Sequence, residues 1–310
     1  MFLPSLKQDN YSVVRLTQIL HFLRLHQMVY QLTLVLCILF FSPPADLFSI
    51  LTACVMLVLI TPTFLLVQDI LGKKDDEQAN QKRILFSDKV NKIFFYSALV
   101  IMSMLLILNN LESLICFGLL FITTLSYAAA KHYRKMILSY TGRYLSSVCT
   151  ILLYVYILAG YVPTSYYLFI FLVSVLDLVG NIAGDIRDVQ KDFKVGVKTL
   201  VTKYSKDNTL QIMSLFVIGI FGIIIIHYQS ILLLTVMVAN TVPFLVIDQV
   251  PTKITHGVFH VAKLINFIVV AGLLTSLSIF IVLTTVGIIV SLWSLAYYFY
   301  LYNAGHPTHA

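Results

Sequence analysis

A chain of 310 residues that is 59% hydrophobic and only 11% charged, with a mean hydropathy of +0.90, is not a soluble globular protein. The formal charge of +7 would suit a nucleic-acid partner, but basic residues in a membrane protein mark the cytoplasmic face. Cys37, Cys54, Cys116 and Cys149 all lie inside apolar segments without metal-ligand spacing and read as core filler.

The N-terminal segment, residues 1–27, carries Lys7, Arg15 and Arg24 before any long apolar run. No cleavage site follows an apolar region, so it does not read as a secretory signal peptide. Apolar runs long enough to span a bilayer, or nearly so, then follow at about 28–42, 48–71, 93–109, 113–130, 144–161, 165–184, 209–227 and 230–247. The last run, from Leu264 to Tyr302, is 39 residues long. It is either one tilted helix with a surface piece or two helices joined near Thr284–Gly287. The expected fold is all-α: one polytopic membrane domain over residues 1–310, with nine or ten transmembrane helices around a central cavity and a short tail at 303–310.

Charge placement supports that order. Of the 21 Lys and Arg residues, 3 precede the first helix and 6, 4, 6 and 2 fall in the linkers after helices two, four, six and eight. The odd-numbered linkers hold none. The pattern puts the N-terminus and the even-numbered linkers in the cytoplasm.

Two acidic stretches sit at that face. Asn181–Leu200 reads NIAGDIRDVQKDFKVGVKTL, with Asp185, Asp188 and Asp192 at i, i+3 and i+7. On a helix those offsets stack three carboxylates on one face, with Asn181 one turn earlier. Like charges so placed repel, and a carboxylate-only set suits Mg²⁺, which keeps waters and bridges to substrate phosphates. Gln68–Arg83 reads QDILGKKDDEQANQKR and repeats the layout with Asp69, Gly72 and Asp76. Its middle carboxylate is missing. Gly72 either weakens this second metal site or serves its backbone freedom at a helix C-terminus. Two acidic helix ends on one face suggest a pair of Mg²⁺ ions gripping one diphosphate.

These residues resemble the UbiA superfamily of intramembrane prenyltransferases, which carry NDxxDxxxD after one helix and DxxDxxxD four helices later. Gln68-Asp69-x-x-Gly72-x-x-x-Asp76 is similar to the first motif and departs from it at Gln68 and Gly72. Asp185-x-x-Asp188-x-x-x-Asp192, followed by Gly196-Val197-Lys198-Thr199-Leu200, is similar to the second and to the family's GxxTL ending. The resemblance implies that Asp69, Asp76, Asp185, Asp188 and Asp192 hold Mg²⁺. It places Gln68, Asn181, Lys198 and Arg83, the last at the position of the family's tail arginine, on the substrate side. Ser126–Lys135 looks like the family's segment after helix four without its prolines, so Tyr127 would line the pocket and Lys131 or Arg134 would reach the diphosphate. Arg24 matches a basic residue near the family's acceptor pocket and is equally an interfacial anchor.

Other polar residues are less telling. Asp177, deeper in the sixth helix, either polarises an acceptor or bonds within the bundle. Asp46 and Asp248 lie at helix ends and need no special role. His256 and His260 are one turn apart but lack a third ligand, so no metal site is expected there.

The activity implied is Mg²⁺-dependent transfer of a prenyl group from an isoprenyl diphosphate to an aromatic or other lipid-soluble acceptor. The active site would face the cytoplasm, at the bilayer. A terpene cyclase of the same superfamily and a non-catalytic lipid-binding or transport protein are the alternatives. A transporter should show charges along a path and broken helices in paired positions, whereas these carboxylates gather at one face.

Overall fold

The computed structural model describes residues 25–41, 45–78, 88–164 and 166–229, together with 234, 237 and 238. Among them the chain is all-helical. The helices are α1 (Leu25–Phe41), α2 (Leu47–Gln78), α3 (Asp88–Asn109), α4 (Leu111–His132), α5 (Met136–Ala159), α6 (Tyr166–Arg187), α7 (Val189–Val195), α8 (Leu200–Tyr204) and α9 (Lys206–Tyr228). Arg24, Arg83, Asp248, His256, His260, all but three residues of the expected eighth helix and the run from Leu264 to Tyr302 lie outside the described residues.

Among the described residues five helices, α2 through α6, are long and apolar enough to cross a membrane. Their backbone polar groups are satisfied within each helix, which hydrocarbon requires. At 32 residues α2 is about 48 Å long, well beyond a hydrocarbon core of roughly 30 Å. The surplus is its polar C-terminal end, which carries the first acidic stretch. Pro62 interrupts the α2 hydrogen-bond ladder, and one residue on the Thr63 hydroxyl donates to the Leu59 carbonyl at 2.6 Å.

In lipid, helices associate through close packing rather than through the hydrophobic effect, so small residues gather where they touch. The α4–α5 hairpin follows that rule. Ser139, Gly142, Ser146 and Cys149 form a buried stripe on α5. Facing it, α4 buries Cys116, Leu120, Thr124 and Ala128, and the hydroxyls of Thr124 and Ser146 bond at 3.0 Å. The hairpin turns at Arg134, which holds the left-handed conformation (φ 59°) more often given to glycine. Its neighbours close the α4 end, with the amide of Lys135 donating to the carbonyl of Ala130 and that of Tyr133 to Ala129.

At the other end of the bundle, Asn110 caps α4 by accepting from the Ser113 amide at 2.7 Å and donates to the Tyr156 carbonyl of α5 at 2.9 Å. Asp46 does similar work for α2, accepting from the amide and the hydroxyl of Ser49. These contacts leave the even-numbered helix ends of α2, α4 and α6 together at the opposite face, where the acidic stretches lie.

Candidate active site

The second acidic stretch does not form one unbroken helix as expected. Helix α6 ends at Arg187, Asp188 sits in the junction (φ −90°, ψ 7°), and Asp192 lies in the first turn of α7. Helical hydrogen bonding carries across the joint, from the Asp188 amide to the Gly184 carbonyl and from Asp192 to Asp188. The bend separates the three carboxylates. Asp185 turns toward α5 and α4, accepting from the Tyr140 hydroxyl at 2.8 Å and standing 3.7 Å from the Lys131 ammonium. Asp188 and Asp192 instead face a cavity of about 130 Å³.

The far wall of that cavity is Gln68 and Gly72 of α2, and Tyr127, Lys131 and His132 of α4 complete it. The structure thus brings the two acidic stretches face to face across one space. Gly72 is helical, six residues before the end of α2, so it does not close a helix. Asp69 is buried beside Gln68 rather than on the cavity wall, and Asp76 continues α2.

The GVKTL ending is architectural. Gly196 ends α7 in the left-handed conformation (φ 72°), and Thr199 opens α8 by a reciprocal bond with Thr202. The segment is tied back at two points. The Leu200 amide donates to the Tyr140 hydroxyl at 3.0 Å, and Arg134 donates to the Val195 carbonyl at 2.8 Å beside Gly196. Arg134 is therefore a tie between the hairpin turn and α7, and Lys131 is the cation of its segment that lines the cavity. Lys198 is exposed and lines a small neighbouring space with Asn181 and Tyr140.

Three spaces run in series toward the bundle interior. Tyr127 and Lys131 line both the carboxylate cavity and the small space, and Arg143 lines the small space and a deeper cavity of about 140 Å³. Gln68 lines the first and the last. The deep cavity has an apolar wall from α2, with Ile60, Phe64 and Leu65, and a polar wall from α5 and α6. On that polar wall Arg143 Nε stands 3.3 Å from Asp177 Oδ2, and its guanidinium lies 5.8 Å from the centre of the Tyr127 ring. Asn181 donates to the Asp177 carbonyl at 2.6 Å.

Tyr140 and Arg143 are the site residues that sequence reasoning missed. Counting Arg143 into the linker hid it; the structure places it two turns inside α5. An arginine within an apolar run is itself the signal that finds it.

A hard divalent cation fits the donors of the first cavity. Asp192 is 2% exposed, and its Oδ2 is buried without a hydrogen-bond partner. Burial pushes its carboxyl up to about 6, with Asp185 and Asp188 adding to the shift and Lys131 and Lys191 opposing it. A buried carboxylate oxygen without a donor is what a cation relieves. Among the described residues no three His, Cys, Asp or Glu side chains converge on one point. Asp188 and Asp192 would then supply two ligands and leave the rest to water and phosphate oxygens, which is the habit of Mg²⁺.

No protein-family model matches the chain, and no curated protein matches it by sequence. Solved structures do match. A digeranylgeranylglyceryl phosphate synthase structure is 19% identical with a TM-score of 0.60, over 83% of this chain and 97% of that one. A UbiA homologue from Archaeoglobus fulgidus bound to GPP and Mg²⁺ is 14% identical with a TM-score of 0.57, over 92% of this chain and 99% of that one. The same homologue bound to DMAPP and Mg²⁺ gives 14% and 0.57, over 91% and 98%. Five helices among the described residues that are long and apolar enough to cross a membrane, with this likeness along most of the chain, mark it as an integral membrane protein with the fold of the UbiA homologues.

Proposed function

We propose that this chain is a UbiA-type prenyltransferase, which takes an isoprenyl diphosphate with Mg²⁺ and transfers its prenyl group to a lipid-soluble acceptor within the membrane. One observation carries the reading: the carboxylate cavity, with Asp188 and Asp192 facing Gln68 and Gly72, leads through shared residues into a deeper cavity walled by Phe64 and Ile60. A molecule with a polyanionic head and an apolar tail fits that sequence of environments. The solved homologues with GPP and DMAPP support the donor class.

Asp188 and Asp192 would hold the metal with the diphosphate, and Asp69 and Asp76 would act from the α2 side. When bound, Mg²⁺ supplies Lewis-acid neutralisation of the diphosphate charge. Lys131 adds a fixed cation on the same wall, and Asp185 with Tyr140 holds that ammonium in place. The C1–O bond of the donor breaks with its electron pair going to the diphosphate. The allylic carbon then bonds to a nucleophile of the acceptor, which releases a proton. Phe64 and its neighbours keep water from the cation, and the Tyr127 ring offers its face. The polar wall of the deep cavity favours an external acceptor over cyclisation, which needs an apolar mould. Basic linkers at the motif end support a site open to the cytoplasm.

Purified protein in vesicles, given prenyl diphosphates of several lengths, Mg²⁺ and a panel of acceptors, tests this by mass spectrometry of the lipids. Prenylated product and released diphosphate are expected, and both should vanish in Asp188→Asn and Asp192→Asn. Diphosphate-independent behaviour of every preparation sinks the reading.

A further inference from the structure

The deep cavity holds a charge pair that the reaction above does not use. Arg143 and Asp177 project from neighbouring membrane helices, and Asp177 is 7% exposed. Burying two charges costs several kcal/mol per ion unless their geometry is good and their remaining donors are filled. Here they are not filled. Arg143 Nε faces Asp177 at 3.3 Å without the alignment of a hydrogen bond, and no side-chain hydrogen bond among the described residues holds the rest of the guanidinium. Its side chain is 28% exposed although it stands inside the bundle, and the spaces it lines are the two inner cavities. Ser147 follows at i+4 on the same face of α5 and lines the deep cavity too. The Tyr154 hydroxyl, by contrast, bonds the Gln31 side chain at 3.0 Å. One wall therefore offers a forked donor and a hydroxyl one turn apart on α5, with a carboxylate from α6 beside the fork.

We infer that Arg143, Asp177 and Ser147 form a binding subsite for an uncharged, hydroxyl-bearing group, an alcohol or a phenol. Its oxygen accepts from the Arg143 fork, and its O–H donates to Asp177. The pair is neutral as a whole, which sets the ligand's charge: an anion meets the Asp177 carboxylate and a cation meets Arg143. A cavity of about 140 Å³ is smaller than the roughly 300–1,000 Å³ of drug-sized sites, so it takes a head group rather than a whole lipid. Resting on the transferase reading, this assigns the subsite to the acceptor. The recognition itself needs no turnover.

Equilibrium binding of three probes to the purified full-length protein in nanodiscs tests it: p-cresol, its methyl ether and p-toluate, the last anionic. Wild type should bind p-cresol at least tenfold more tightly than either of the others. The double variant Arg143→Gln/Asp177→Asn removes both charges, keeps a polar side chain at each position and avoids leaving one ion buried alone. It should lose that preference while keeping Mg²⁺-dependent binding of GPP, whose head-group contacts at Asp188, Asp192 and Lys131 it does not touch. Ser147→Ala should weaken p-cresol binding severalfold. Equal binding of the three probes, preference for p-toluate, or an unchanged preference in the double variant overturns the subsite. Failure of wild type to bind GPP instead strikes the transferase reading, and the p-cresol comparison still decides the subsite.

Discussion

Gly142 lies against the backbone of Tyr127: a β-carbon there would stand 3.0 Å from the Tyr127 amide nitrogen and 3.1 Å from its Cα. Those are backbone atoms of a packed helix and cannot swing away. The close approach lets α5 carry Arg143 to the Tyr127 ring and Tyr140 to Asp185. Packing and site thus depend on one missing side chain.

Gly142→Ala should therefore force the hairpin apart and cost about 1–3 kcal/mol, as overpacking does. Gly118→Ala on the same hairpin has nothing within 4 Å of the new carbon and should be neutral or gain about 0.5–1 kcal/mol from helix propensity. Thermal unfolding of the two variants in one detergent compares them. Equal melting temperatures would show that α4 can yield.

Much of this was legible in the sequence because bilayers impose simple rules. Helix-length apolar runs located α2 through α6, although the end of α2 and the starts of α3 and α5 reach about five to eight residues beyond the runs, and the charges marked the face where Gln68, Gly72, Asp188 and Asp192 meet. What stayed hidden depends on bends and rotations that spacing does not encode. Offsets of three and seven cannot say that α6 stops at Arg187, which sends Asp185 to Tyr140 and the other two carboxylates to the cavity. A basic residue near a helix end looks the same whether it lines the cavity, as Lys131 does, or ties down a loop, as Arg134 does.

Tyr140→Phe should loosen the second motif without emptying it. The hydroxyl donates to Asp185 and accepts from the Leu200 amide, so its loss frees Asp185 and exposes one backbone donor. A net cost of about 1–2 kcal/mol is expected, with faster amide hydrogen exchange at Val197–Leu200 and transfer activity down about tenfold. Unchanged exchange there would mean that Thr199 and Thr202 hold the segment by themselves.

The buried Asp192 gives the metal-free protein a pH dependence whose sign follows from its raised value. A carboxyl near 6 when folded and near 3.8 when unfolded binds its proton more tightly in the fold. Its burial is free of cost below the unfolded value and costs most above about 6, so stability should fall as pH rises between them. Asp192→Asn removes that dependence. With EDTA present, the variant should melt at a higher temperature than wild type at pH 7 and lose its advantage toward pH 4. A variant less stable than wild type at both pH values would show that Asp192 has a donor at rest.

Gly72 is the departure from the resembling motif that structure makes most useful. It is helical and faces Asp188 and Asp192 across the cavity, with six residues of α2 still to come. Glycine inside a helix costs about 0.5–1 kcal/mol relative to alanine, so Gly72→Ala should stabilise the protein by that amount. The reading of Gly72 as a helix-closing residue forecasts the reverse and is excluded by its place in α2. Gly72→Asp goes further by adding a carboxylate opposite the existing pair. Affinity for a hard cation rises with ligand charge, so the Mg²⁺ concentration for half-maximal transfer should fall several-fold. Without metal the new carboxylate repels Asp188 and Asp192, so the same variant should be less stable than Gly72→Ala in EDTA and recover as Mg²⁺ is added. A Mg²⁺ titration followed by both unfolding temperature and product formation separates these effects. Recovery of stability without a lower half-maximal concentration would place the cation away from the reacting diphosphate.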